Sequence, residues 1–170
     1  MTKKRRGMSL LELVIATSML AVIMTSIAVI MRTGRQAWEA HESDYVRIEA
    51  AHATARHIVR EIRQADAVSA ISASADTSGA ITLDMPNGDT KSWDHDGATN
   101  RVNYGLNVAP ADLLATEITG LQFSGFEADG TTAAATVGDV QCVRINVMIQ
   151  LPREVGGARV ISSWAWVRSW

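Results

Sequence analysis

Apolar and polar positions divide the chain into three regimes. From Leu13 to Met31, 19 residues pass without a charge, and as a helix they would span roughly 28 Å, close to the thickness of bilayer hydrocarbon. Beyond Met31 the apolar positions separate. Trp38, Tyr45, Ile48, His52, Ala55, Val59 and Ile62 settle into alternating steps of three and four, a helical period. Glu39, Glu42, Asp44, Arg47, Glu49, Arg56, Arg60, Glu61 and Arg63 fill the positions between and predict a face that is solvated or turned to neighbouring subunits. The pattern therefore predicts one helix of 60 residues from Met8 to about Ala67, roughly 90 Å long, with 8–31 in a membrane and 32–67 an amphipathic extension. No proline interrupts Leu13 to Arg56, so no kink is expected there. Gly34 is the soft point, about 1 kcal/mol less favourable than alanine.

After Ala67 the period changes. Residues 68–79, rich in Ser and Ala and closing on Gly79, read as a linker, and 80–170 read as an antiparallel β-sheet domain. Ala80 to Met85 and Thr90 to Trp93 flank Pro86-Asn87-Gly88-Asp89, a hairpin signal, and Asp96-Gly97 leads to a third strand at Arg101 to Gly105. Pro110 to Ala115 reads as a helical or irregular turn before a fourth strand, Ile118 to Phe126. Val143, Ile145, Val147, Ile149 and Leu151 alternate with polar or flexible residues, the clearest half-buried strand in the chain. Gly156-Gly157 turns it back into Arg159 to Ser169, with Trp164 and Trp166 on one face and Ala165 and Val167 on the other. The fold class is α+β, a long N-terminal helix whose second half packs on a small antiparallel sheet.

Charge sharpens the N-terminus. The formal net charge of the 170 residues is −2, but Lys3, Lys4, Arg5 and Arg6 stand together ahead of the apolar run. Without those four, 12 basic residues face 18 acidic ones, a charge near −6, which gives no net attraction for nucleic acid phosphates. The basic cluster favours a cytoplasmic N-terminus and an outward-facing body. Cys142 is the only cysteine, so no intrachain disulfide forms. An ordinary secretory signal, cut near Ser26-Ile27-Ala28, is the competing reading. Against it stand the length of the apolar run and Glu12 inside its first turns. A carboxylate near hydrocarbon persists mostly where it finds a partner. No Lys or Arg follows Glu12 until Arg32, roughly 30 Å along a helix, so the cation has to come from another chain. The competing view of Glu12 is a side chain reaching to the interface with no further role.

The run Lys4-Arg5-Arg6-Gly7-Met8-Ser9-Leu10-Leu11-Glu12-Leu13 resembles the class III signal of type IV prepilins and pseudopilins. That resemblance implies cutting after Gly7 by a membrane-embedded prepilin peptidase and N-methylation of Met8. It also implies a salt bridge between Glu12 of one subunit and the free amine of Met8 on a neighbour, with an inner-membrane assembly platform as a further partner. Met8 stands where many members have phenylalanine, and Val29 where many major pilins have proline. The order of elements in the body resembles the J-type minor pseudopilins of type II secretion and the related W-type minor pilins. The features that carry this second resemblance are the tyrosine-bearing strand Val102-Asn103-Tyr104, the segment Ile118 to Phe123 and the C-terminal hairpin. The function implied is a structural subunit at or near the tip of a periplasmic pseudopilus, anchored in the inner membrane by a single pass. A minor subunit of a type IV pilus, and a monomeric anchored binding domain, are the alternatives.

No zinc spacing, phosphate-cradling glycine loop or nucleophile motif occurs, so no enzymatic activity is expected. No cofactor is expected either, calcium excepted: Asp94 and Asp96, near Asp84, Asn87 and Asp89, are weak candidates, and turn-forming aspartates are the commoner explanation. His41, His52 and His57 fall on the helix without the company a metal site needs. Trp164, Trp166 and Trp170 read as core packing on one face with the remainder exposed, or as an interface cluster.

Overall fold

The computed structural model describes residues 9–151 and 158–168. Helix α1 runs Leu10–Ile62 and passes through Gly34 without a break. The chain divides into two compact units, Met1–Glu42 and Ser43–Trp170. The second contains the end of α1 and eight strands: β1 (Ala67–Ile71), β2 (Ala80–Asp84), β3 (Thr90–Asp96), β4 (Arg101–Leu106), β5 (Asp112–Thr116), β6 (Gly120–Phe126), β7 (Cys142–Gln150) and β8 (Ala158–Trp166).

The strands make two antiparallel sheets, each a meander: β1-β2-β3-β4-β5 and β6-β7-β8. The α+β class holds, but the single sheet expected from the sequence is two. They meet where Ser78 bridges Leu121, with Gly79 N–H donating to the Leu121 carbonyl and Leu121 N–H donating to the Thr77 carbonyl, both at 2.8 Å. The stretch read as a linker thus opens with β1, an edge strand that buries only Val68. Its Ser/Ala composition hides it, because pairing with β2 rather than side-chain packing holds it in place. The segment read as an irregular turn near Pro110 contains β5, the other edge, which pairs with β4 across a register shift between Val102 and Asn103.

One hydrophobic core joins the second unit's helix to both sheets: Ala51, Ala55, Ile58 and Ile62 pack with Leu83, Trp93 and Val102 of one sheet and Phe123, Ile145 and Val147 of the other. The helical stripe is the expected one displaced by about one residue. Ile48, Ala55, Val59 and Ile62 lie on it, but Tyr45 and His52 are exposed, and in the first unit so is Trp38. Small side chains at Ala51 and Ala55 mark where the helix meets the core, which a reading weighted toward large apolar residues passes over. α1 ends at Ile62 rather than Ala67. Gln64 N–H and Ala65 N–H bond to carbonyls three residues back, and Asp66 N–H then donates to the Asp84 carbonyl at 2.9 Å, handing the chain to the sheet.

Glu61, assigned by pattern to the solvated face, is buried. It is stable there because Lys91 of β3 binds its Oε2 and the Arg60 guanidinium reaches its Oε1 at 2.8 Å. Burial pushes this carboxyl up, but the hydrogen bonds and charges of Lys91 and Arg60 outweigh it and hold the group below the usual carboxylate range. One turn back, His57 packs edge-on against Trp93 (5.9 Å between centroids) and Tyr104 (5.7 Å). Its Nε2 is buried with no partner. Burial lowers the imidazole's affinity for a proton, only partly offset by Glu61.

Two predictions follow from this packing. A Cβ at Gly79 would stand 2.7 Å from the Leu121 carbonyl oxygen. Gly79→Ala should therefore cost about 1–3 kcal/mol in denaturant unfolding followed by Trp fluorescence. Because the His57 pKa is depressed on folding, the unfolded chain takes up the proton first. Its contribution is complete above the imidazole's ordinary value of about 6.5 and is lost as pH falls from there. Unfolding free energy should thus decline as pH falls below about 6.5, and His57→Phe, which keeps an aromatic ring against Trp93, should flatten that decline.

Candidate functional site on the apolar helix

In the first unit, residues 9–39 are exposed on every side of the helix. Leu10 is 80% exposed and Met31 70%, with Leu13, Leu20, Val22, Ile23, Ile27 and Ile30 also open. An apolar surface this continuous is a surface for lipid or for other chains. The hydroxyls within it are already satisfied. Thr17 donates to the Leu13 carbonyl at 3.0 Å, Ser18 to Ile15 at 2.8 Å, Thr25 to Ala21 at 2.7 Å, Ser26 to Val22 at 2.8 Å and Thr33 to Val29 at 3.0 Å. With the backbone bonded within the helix, every polar group from Leu13 to Met31 is closed internally, as hydrocarbon demands.

Glu12 is the exception. Its Oε2 accepts the Ser9 N–H at 3.3 Å. Ser9 directly precedes the first helical residue, so this is the acidic half of a capping box, Ser-x-x-Glu, which sequence reasoning missed although the spacing was there to be read. A carboxylate in the first turn also suits the positive end of the helix. One long bond leaves most of its acceptor capacity free. No ion pair among the described residues reaches it. Gly7, Met8 and the cluster Lys3, Lys4, Arg5 and Arg6 lie outside the described residues.

The structure separates Asp94 and Asp96 from Asp89. Asp94 and Asp96 lie on β3 rather than in a loop. The Asp96 carboxylate accepts from Ala98 N–H at 2.9 Å and from the Thr99 hydroxyl at 2.6 Å, which holds its carboxyl below the usual range. Asp89 precedes the opposite end of the strand, roughly 20 Å away at strand rise, and is bound by Asn107 at 2.7 Å and by Asn87. Asp96 and Asp89 are turn formers. Among the described residues no group of three or more His, Cys, Asp or Glu side chains is arranged to hold a metal ion.

α1 is the one described helix long and apolar enough to cross a membrane, which is compatible with a single-pass anchor. The chain carries a type IV pilin-like N-terminus. More particularly, residues 2–28 match the family model for the prokaryotic N-terminal methylation motif. Gly7, Met8 and Glu12 all fall inside the match. The motif supports processing by a prepilin peptidase and assembly with other pilin-type subunits. Neither the curated proteins nor the solved structures offer a match to the chain.

If the exposed apolar surface is a membrane anchor, the full chain should sediment with membranes and resist extraction by high salt and by alkaline carbonate, yet dissolve in detergent. Glu12→Gln should leave that behaviour unchanged, because the 19 uncharged residues that follow carry the partition. Release by salt alone would contradict an anchor.

Proposed function

We propose that this protein is a structural, non-enzymatic minor pseudopilin of a type II secretion system, assembling through α1 at or near the tip of a periplasmic pseudopilus and helping to initiate it. The observation that carries the proposal is Glu12, an exposed carboxylate ahead of a run, Leu13 to Met31, whose polar groups are closed. Removal of the leader after Gly7 frees the Met8 amine, a cation at the depth of Glu12. Pairing of that amine with Glu12 of a neighbour replaces the long Ser9 bond and fixes the axial register of two subunits. The pair contributes specificity more than stability, since desolvating both ions offsets much of their attraction. The N-terminus is cytoplasmic before assembly and the body periplasmic, in keeping with the basic cluster ahead of the helix. The β4 strand bearing Tyr104 and the nine-residue strands of the β7–β8 hairpin support a J-type or W-type minor subunit.

Mass spectrometry of the protein from its host should find N-methylated Met8 as the first residue, and an intact Met1 or a cut near Ala28 would contradict the processing. Glu12→Ala should remain cleaved and membrane-bound but fall at least tenfold in recovery with other pilin-type subunits. Unchanged incorporation would remove the assembly role. Deletion of the gene should abolish export of secreted enzymes and leave surface pili intact; loss of pili with export unimpaired would assign the subunit to a type IV pilus instead.

A further inference from the structure

We propose that the outer face of the β6-β7-β8 sheet holds a binding site for a carboxylate carried on a small apolar body, with Arg144 and Ser124 as its donors. The inference concerns the second unit alone and does not depend on how the N-terminus assembles.

Register brings the residues together. Ser124 of β6 stands opposite Arg144 of β7, which stands opposite Trp164 of β8, so the three share one face in one row. Phe126, two residues beyond Ser124, shares that face. The Arg144 guanidinium carbon lies 5.5 Å from the centre of the Phe126 ring and 5.4 Å from that of Trp164, and the two rings lie 5.2 Å apart. Aromatic faces hold the guanidinium in place but take up none of its N–H groups. Arg144 Nε is buried without a partner, and so is the Ser124 hydroxyl, on a residue only 4% exposed. No acidic side chain pairs with Arg144 among the described residues.

The neighbouring row on the same face shows what a closed arrangement looks like. There Ser162 donates to Asn146 Oδ1 at 2.8 Å, Asn146 donates to Gln122 Oε1 at 3.0 Å, and Gln122 donates to the Ser74 carbonyl at 2.6 Å. Every side chain of that row has a partner. Two residues along, an arginine lying over two adjacent aromatic rings and a serine directly across from it are left open. Buried donors without partners are costly and uncommon in folded proteins, and two in register at one spot define a place for an acceptor.

Both residues line a groove of about 540 Å³. Its walls include Ile71, Ala134, Val137 and Val140, and Arg144 is the one charged residue lining it. A single cation and apolar walls suit a monoanion with an apolar body. The fork of a guanidinium with a hydroxyl beside it suits the two oxygens of a carboxylate. A dianionic phosphate would have one cation to meet two charges. The carboxylate could belong to a free small acid or to the end of a peptide chain, and the chemistry at Arg144 is the same for both.

The test uses the full chain in detergent micelles, labelled with ¹⁵N-arginine, with the Arg144 Nε–H resonance assigned by its loss in Arg144→Lys. The probes are 3-methylbutyrate, N-acetyl-Ala-Leu with a free C-terminus, the same peptide as its C-terminal amide, and inorganic phosphate. At least one carboxylate should move the Arg144 resonance saturably, and the amide should bind at least tenfold more weakly. Whichever of the acid and the peptide binds more tightly names the source. Ser124→Ala should weaken binding about threefold and Arg144→Lys at least tenfold. Ala134→Leu, which narrows the groove without touching either donor, should abolish binding while the Arg144 resonance persists. The proposal fails if neither carboxylate moves the resonance, if the amide binds as well as the acid, if phosphate binds more tightly than both carboxylates, or if Ala134→Leu binds normally.

Discussion

Taking a carboxylate out of water costs more than the apolar contacts around it return, unless a cation or several donors meet it on the other side. Glu12 is held to that rule more tightly than any other residue of α1. The hydroxyls after it in the apolar run are bonded to their own helix. Glu12 has one long bond from Ser9. That bond suits a resting state, since it caps the helix and keeps the acid near the positive end of the peptide dipoles. It leaves the charge uncompensated. A helix of this composition is long and apolar enough to cross a membrane, and Glu12 has no ion-pair partner among the described residues.

The second unit obeys the same rule by the opposite route. Glu61 is deeper in protein than Glu12, yet two cations of its own chain close it. Arg47 is closed likewise, by Glu117 at 3.0 Å and by the Gln150 carbonyl at 2.6 Å. Interior charge here is structural, because its partners come with it. The unpartnered Nε2 of His57 and Nε1 of Trp93 belong to another case: they lie in an aromatic cluster where burial keeps the imidazole neutral, so no charge awaits a counterion. Arg144 differs from both. It is a permanent cation, it lies over two adjacent aromatic rings, and its Nε has no partner.

What could be read in the sequence tracks how local the physics is. The uncharged run, the Asn87-Gly88 hairpin and the alternation from Val143 to Ile149 depend on neighbours in sequence, and each appears as expected. The opposed faces of β8 were legible for the same reason: Ala165 and Val167 are buried, and Trp164 and Trp166 look outward. β1 and β5 were not legible, because an edge strand owes its existence to the strand beside it rather than to its own side chains. Trp93, the largest fully buried side chain, carries no sign in its heptapeptide that a helix residue 36 positions earlier, His57, will pack on it. Burial of Glu61 was hidden for a related reason, since its cation Lys91 arrives from a different element. At the N-terminus the motif that spans residues 2–28 was legible because it is a linear string.

That difference explains why resemblance is confined to residues 2–28. A segment that must fit a processing enzyme, cross hydrocarbon and present one acid at one depth has few sequences open to it. A pair of antiparallel sheets needs only inward alternation and filled volume, which many sequences supply. The outward faces are freer still, and a row such as Gln122, Asn146 and Ser162 shows the ordinary use of that freedom: polar groups that satisfy one another. The row of Ser124, Arg144 and Trp164 departs from it, since Arg144 Nε and the Ser124 hydroxyl are buried without partners. If the N-terminus makes the chain one subunit among several, what distinguishes it to a partner has to be carried by outward side chains of this kind, since the core is hidden from any partner.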